Sequence, residues 1–233
     1  MKKIFIISLA FAVAIPQTVF AQDVEVDVGF DAQHKSCLEK ITDDAETAYE
    51  EAMIWQSQGG GRRARHCVAT ALFALGHAGE AATRLEKIAK APDGGTPTMR
   101  AGFYAEAADF WLAAQEPRRA LAAASAGLKI ARGDLDLHIH RARAYGALGR
   151  WNYSKTDLTS ALAFHPDNAR ALRYRADTYL QQGDLAKAKT DIEASISADG
   201  TNIDTLLLRG KINEAIRLKD NPGDNVILLD TGK

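Results

Sequence analysis

Two cysteines are the first residues whose type and spacing suggest chemistry. The 233-residue chain contains only Cys37 and Cys67, and no Cys-x-x-Cys pair that would favour redox catalysis. In an oxidising compartment an even pair favours a disulfide, and the alternative is two buried free thiols. We predict a bridge that pins the N-terminal helix to the next one. It would close a loop of about 31 residues and be worth roughly 3.5 kcal/mol in the chain-entropy model.

Motifs of the common catalytic classes are not found. The sequence has no His-Glu-x-x-His, no Gly-x-Ser-x-Gly and no phosphate loop ending in Gly-Lys-Ser/Thr. His138 and His140 lie two positions apart, so on a helix they point in different directions and make a poor pair of metal ligands. The glycines at 59–61 either hold an anion at a helix N-terminus or form a turn between helices. We therefore expect a non-catalytic protein with no metal and no cofactor.

Arginines form the most regular charged pattern in the sequence. Arg141, Arg175 and Arg209 are spaced 34 residues apart. Their stems could pack along the helices while their head groups bond to helix ends, which would make them structural. They could instead belong to a basic stripe that receives an acidic partner, so the sequence leaves both interpretations open.

A 34-residue period explains where these side chains recur. Gly149 corresponds to Gly183, and Leu158 corresponds to Ile192. Helical periodicity extends from about residue 62 to about residue 220. A single helix hairpin of this size cannot bury enough apolar surface to fold alone, so the hairpins should stack into one continuous solenoid.

The first residues predict export. Lys2 and Lys3 give a short positive start, an apolar run follows at residues 4–15, and Val19 and Ala21 suit a signal peptidase that cleaves after Ala21. The run is shorter than the roughly 20 apolar residues that prefer to span a bilayer. We expect a soluble, periplasmic protein that is not membrane-spanning.

The charge balance argues against nucleic acid as a partner. The chain has 29 basic and 30 acidic side chains. Loss of Lys2 and Lys3 with the signal would leave 27 basic side chains against 30 acidic ones, a net charge of −3. A dedicated nucleic-acid binder usually carries a basic excess.

The repeat resembles the tetratricopeptide repeat (TPR) family, whose units combine small residues, an aromatic, a turn glycine and a terminal proline. The resemblance implies an all-α, right-handed superhelical solenoid of TPR-like helix hairpins. Two units match in register, and the two upstream are degenerate, with Gln115 at a turn position. The signature residues are Ala142, Tyr145, Gly149, Trp151, Pro166, Ala176, Tyr179, Gly183 and Ala188.

The same pattern predicts how the chain is divided. We expect a signal peptide (1–21), a flexible segment (22–35), a partial N-terminal repeat or cap (36–61), TPR-like unit 1 (62–95), TPR-like unit 2 (101–134), TPR unit 3 (135–168), TPR unit 4 (169–202), a C-terminal capping helix (203–220) and a tail (221–233).

The resemblance also implies where a partner would bind. In TPR proteins the first helix of each hairpin lines a concave surface that receives peptides. Arg143, Arg170 and Arg173 fall at positions that usually face this groove, with Asp177 nearby. Acids near these arginines blunt the basic stripe, and Asp177 stands where the family's carboxylate clamp needs an asparagine. We expect a scaffold or adaptor that binds a protein or peptide partner, with an envelope-associated complex as one setting; the alternative is a small-molecule or metal carrier.

Overall fold

The computed structural model describes the backbone of residues 19–221 and the side chains of residues 31–221. The described part is all-α. The predicted signal peptide lies outside it except for its last three residues, and the tail lies outside it beyond Asn221. The helices are α1 (Val19–Asp43), α2 (Ala45–Ser57), α3 (Gly61–Ala74), α4 (Ala78–Lys90), α5 (Pro97–Ala113), α6 (Pro117–Ile130), α7 (Leu135–Ala147), α8 (Trp151–Phe164), α9 (Ala169–Gln181), α10 (Leu185–Ala198) and α11 (Ile203–Asp220).

The helices stack as hairpins in chain order. Each odd-numbered helix pairs with the even-numbered helix that follows it, and α11 is the last helix of the described part. Odd-numbered helices of successive hairpins also contact one another, as α5 does α7 and α7 does α9. One side of the solenoid is therefore built from odd-numbered helices, and its side chains form a continuous surface.

Side-chain caps fix where many helices begin. In each case an Asp or Asn oxygen accepts a hydrogen bond from the backbone N–H three residues later, which satisfies a donor that the helix itself leaves free. The caps of this kind are Asp44, Asp134, Asn168, Asp184 and Asn202.

The turn inside each hairpin from α3–α4 to α9–α10 contains one residue with a left-handed backbone. Gly76, Gly149 and Gly183 have φ values of 87°, 70° and 76°. Glycine adopts this region without a steric penalty because it has no Cβ. Gln115 occupies the same turn of the α5–α6 hairpin with φ 59°, so this position has the left-handed backbone although its residue is not glycine.

The N-terminal end differs from the sequence-based expectation. The sequence predicts a flexible segment at 22–35 and a partial repeat at 36–61, yet α1 runs from Val19 to Asp43 and pairs with α2 as a hairpin. The predicted disulfide is confirmed, because Cys37 bonds to Cys67. It ties α1 to α3, whereas the sequence predicts a tie to the next helix.

Unit 2 also begins earlier than the repeat predicts. The sequence predicts unit 2 at 101–134, but Thr96 caps α5, whose first residue is Pro97. The Thr96 side chain accepts a hydrogen bond from the Met99 N–H, and proline at the first helical position has no N–H to lose.

The core divides into three apolar clusters. The largest spans α2 to α7 and includes Trp55 and Trp111, whereas α7–α9 and α9–α11 each hold a smaller cluster. The small signature residues Ala142, Ala176 and Ala188 are fully buried, as close helix packing requires.

The two tyrosines of the signature have different surroundings. Tyr145 stacks on Tyr153 of its own hairpin, with ring centroids 5.1 Å apart. Tyr179 packs against the cluster that extends to α11.

Along residues 19–221, no helix combines the length and the apolar character that crossing a bilayer requires.

Candidate binding groove

The surface of the odd-numbered helices contains three cavities that follow one another along the solenoid. Their volumes are about 320, 530 and 370 Å³. The first two share Met99 and Phe103 of α5. We call this surface the groove and define it by His34, His66, Met99, Phe103, Glu106, Asp109, Asp134, Asp136, His140, Arg143, Arg170, Tyr174 and Asp177.

The first cavity contains a chain of hydrogen-bonded side chains from three helices. His34 Nε2 lies 2.8 Å from His66 Nδ1, and His66 Nε2 lies 2.7 Å from Glu106 Oε2. Burial, together with the nearby His66 and Arg63, lowers the pKa of His34 to about 4. His34 is therefore uncharged near neutral pH.

The second cavity has an apolar floor and acidic walls. Met99 and Phe103 supply the apolar surface. Burial lowers the pKa of His140 to about 4, with Asp109 opposing this shift and Arg143 adding to it. With His140 uncharged near neutral pH, the carboxylates dominate this part of the groove. They are Glu106, Asp109, Asp134 and Asp136.

The third cavity is centred on an aromatic ring held between two arginines. The guanidinium carbon of Arg143 lies 5.3 Å from the Tyr174 ring centroid, and that of Arg173 lies 4.6 Å from it. Such cation–π contacts hold the ring and both head groups in place. Asp177 lines the same cavity and accepts a weak 3.4 Å hydrogen bond from Gln181.

Two of the predicted groove arginines are bound to acids one repeat earlier. Arg143 donates to Asp109, and Arg170 donates to Asp136 at 3.0 Å. In both pairs the acid precedes the arginine by 34 residues. The positive charge of these arginines is therefore balanced within the groove.

The third groove arginine, Arg173, is paired with an acid that follows it in the chain. Arg173 donates to Asp204 of α11 at 2.7 Å. The structure thus gathers the four predicted groove residues along α7 and α9, but it does not leave them as an open basic stripe. An acidic partner would have to displace an intramolecular carboxylate at each arginine.

The arginines spaced at 34 residues have a structural role at two of their three positions. Arg141 forms a two-point ion pair with Asp157, at 2.8 and 2.6 Å, and Arg175 forms one with Asp191, at 2.6 and 2.9 Å. Each pair joins the two helices of one hairpin. The head groups bond to buried carboxylates on the second helix, and not to helix ends.

His138 contacts the same carboxylate as Arg141, that of Asp157. Its Nδ1 lies 3.3 Å from Asp157 and its Nε2 lies 2.9 Å from the Arg132 carbonyl. Burial raises the pKa of Asp157, but hydrogen bonds from Arg141 and His138 outweigh burial and hold that pKa below its usual value. The same hydrogen bond to Asp157 raises the pKa of His138.

The two histidines of the His-x-His pattern point to different partners, as their spacing predicts. His138 contacts Asp157, whereas His140 Nδ1 lies 3.5 Å from Asp109. Among residues 31–221, no three His, Cys, Asp or Glu side chains are arranged to hold a metal ion.

Comparison with solved structures identifies the fold of this chain but not its function. No protein-family model and no curated protein matches this sequence. The first TPR domain of human RPAP3 is 22% identical, with a TM-score of 0.51 over 54% of this chain and 98% of that one. TTC0263, a TPR protein from Thermus thermophilus, is 17% identical, with a TM-score of 0.60 over 79% of this chain and 100% of that one.

A third solved structure agrees with these two. MamA (residues 41 to the end) from Desulfovibrio magneticus RS-1 is 15% identical, with a TM-score of 0.56 over 68% of this chain and 85% of that one. The predicted all-α, TPR-like superhelix is therefore confirmed. At these identities the likeness concerns the fold alone, because one fold serves many functions.

Proposed function

We propose that this protein is an exported, non-catalytic scaffold that binds a segment of another protein in the groove. The observation that carries the proposal is the groove itself, which crosses α5, α7 and α9 with apolar and aromatic surface on its floor and charges on its walls. Curved solenoids present such extended surfaces to partners. Side chains from several hairpins contribute, so a bound segment would contact several repeats at once.

The charges favour a partner segment that carries lysine or arginine beside an apolar side chain. The second cavity and its ion-pair partners place four carboxylates against two guanidinium groups, those of Arg143 and Arg170. A basic side chain could approach these carboxylates while an apolar neighbour contacts Met99 and Phe103. An acidic segment would meet repulsion here and arginines that are already paired.

Export is supported by two independent features of the chain. The sequence begins with the charged and apolar pattern of a secretory signal. The Cys37–Cys67 disulfide suits an oxidising compartment such as the periplasm. Together they favour a periplasmic scaffold, and an envelope complex is the corresponding setting for its partner.

Site-specific photo-crosslinking in cells that make the protein tests this proposal. A photoreactive phenylalanine analogue replaces Met99 in the groove, and the matched control replaces Tyr153 on α8, which is 61% exposed. We expect discrete adducts from position 99 that position 153 does not give. Identical adducts from both positions, or none from position 99, would overturn the groove as the binding surface. The N-terminal residue of the recovered protein tests export separately, with Gln22 expected.

A further inference from the structure

The last described helix carries an apolar surface that is open to solvent. Ile203, Leu206 and Leu207 of α11 are 71%, 37% and 61% exposed. They are three of the nine large hydrophobic side chains that are exposed among residues 31–221, and all lie in the first two turns of one helix. The buried side of α11 packs on α9 and α10.

The repeat shows what normally covers part of this surface. In the preceding hairpin, Ala176 is fully buried and packs with Ala188 and Ile192 of α10, and Leu172 is 5% exposed. The positions 34 residues later are Leu206 and Gly210. Leu206 is 37% exposed, and a Cβ built on Gly210 would meet no atom within 4 Å. Along α11, the described chain provides no second helix for the place that α10 takes against α9.

The ion pairs of the earlier hairpins also indicate that α11 lacks, among the described residues, the second helix that α7 and α9 have. Arg141 and Arg175 each bind a buried aspartate on the second helix of the hairpin. Arg209 is the next arginine of this series, it is exposed, and no acid among residues 31–221 forms an ion pair with it. The surface therefore offers an apolar strip and, at Arg209, a cation without an ion pair among residues 31–221, and a complementary occupant would bring apolar side chains and a carboxylate.

The chain beyond α11 contains such a sequence. Residues 226–229 are Val, Ile, Leu and Leu, Asp230 follows them, and Pro222 and Gly223 precede them at a point that favours chain reversal. Arg209 lies 11 residues before the end of α11, about 17 Å along a helix that rises 1.5 Å per residue. Residues 222–230 span up to about 26 Å when extended, so Asp230 can reach Arg209.

We propose that residues 224–230 lie antiparallel along α11, in the place that α10 takes against α9. The apolar run at 226–229 then covers Leu206 and Gly210, and Asp230 pairs with Arg209. Asp224 lies before the apolar run, near the end of α11, and does not take part in the pair. The tail is thus a cap that the chain supplies for its own open end.

Hydrogen exchange of the full-length protein, read by mass spectrometry over residues 203–216, tests the cap. Leu228→Asp places a charge in the apolar run and should accelerate exchange at least tenfold in this segment. Asp230→Asn and Arg209→Gln should each accelerate it about threefold, and the two together no more than either alone. Asp224→Asn removes the same charge from the tail and is the matched control, with exchange unchanged.

Two results would overturn the proposal. Exchange rates in 203–216 that are the same for Leu228→Asp, Asp230→Asn and Asp224→Asn would show that the tail does not lie on α11. Sedimentation of the unaltered protein tests whether a second copy of the chain, and not the tail, covers this surface. A dimer whose α11 protection rises with protein concentration would assign this surface to a second copy, whereas a monomer with concentration-independent protection is the result we expect.

Discussion

The first six helices and the last five stabilise the same solenoid by different means. The N-terminal part relies on one large apolar cluster that contains Trp55, Phe110 and Trp111, and on the disulfide between α1 and α3. The C-terminal part has two smaller clusters, and it adds a buried Arg–Asp pair in each of its two hairpins.

This difference shows which structural features accompany a regular 34-residue repeat in the sequence. The C-terminal hairpins keep the 34-residue signature because their turn glycines and ion pairs need the same residue at each repeat. The N-terminal hairpins match that signature less closely, and large aromatic side chains and a covalent bond hold their helices together. Sequence regularity in the C-terminal part therefore accompanies repeated turns, ion pairs and buried alanines.

The disulfide should have the largest effect on the N-terminal part. Replacement of Cys37 and Cys67 by serine removes a constraint on a loop of about 31 residues, which should lower the free energy of unfolding by roughly 3.5 kcal/mol. Urea denaturation measures the loss, and hydrogen exchange locates it in α1–α3. A loss below about 1 kcal/mol would mean that packing alone holds α1, and the two parts would then not differ in their need for a covalent bond.

The buried ion pairs should have the next largest effect, on the C-terminal part. Asp157→Ala leaves Arg141 and His138 without their carboxylate and should cost about 3 kcal/mol in urea denaturation. The exposed Asp167→Ala is the matched control and should change stability by less than about 0.5 kcal/mol. Replacing the pair together, as Arg141→Met with Asp157→Leu, should recover most of the loss. A double variant as unstable as Asp157→Ala would contradict this account.

Acid should weaken both parts, through His34 in the first and His140 in the second. The pKa values of His34 and His140 are held at about 4 in the folded chain, against 6.5 for an ordinary histidine. The unfolded chain therefore binds more protons than the folded one as the pH falls from about 6.5 to about 4, and stability is lost across that window.

Two variants and a control check this pH dependence. His34→Gln and His140→Gln should each flatten the fall in unfolding free energy between about pH 7 and about pH 5, and the exposed His165→Gln should not. Slopes that do not change in either variant would place the acid sensitivity elsewhere in the chain.

Substitutions at the turn residues should give the smallest change in the free energy of unfolding. They compare the two parts directly, because the same turn position is changed in a hairpin of each. Gln115→Gly places glycine at a left-handed position and should raise the free energy of unfolding by about 1 kcal/mol. Gly149→Gln makes the opposite change in a regular hairpin and should lower it by a similar amount. Thermal unfolding of the two variants provides the measurement, and changes of the same sign would show that backbone strain at this turn does not decide stability.

Much of the regular part of the fold could be predicted from the sequence. Gly149, Gly183 and the buried alanines recur at fixed spacing because each hairpin repeats one local geometry. The α1 helix could not be read in this way. Two of its described contacts, Cys37 to Cys67 and His34 to His66, join residues 30 and 32 positions apart, and no local pattern reports them.

The sequence could place Arg143, Arg170, Arg173 and Asp177 on the first helices of two hairpins, but the charge of that surface could not be read from the arginines alone. The signal for the correct balance was present, since Asp109 and Asp136 precede Arg143 and Arg170 by one repeat length. A search for opposite charges separated by one period would have found both pairs. The uncharged state of His140 depends on burial, which needs the folded structure.

Selection from a random peptide library against the protein without residues 1–21 tests the central claim most directly. The account predicts enriched peptides that combine lysine or arginine with an apolar neighbour. Their affinity should fall at least tenfold with Phe103→Glu, or with Asp134→Asn and Asp136→Asn together, while Asp167→Asn has no effect. Enrichment of acidic peptides, or of peptides whose affinity is the same for all these variants, would contradict a groove that binds basic segments.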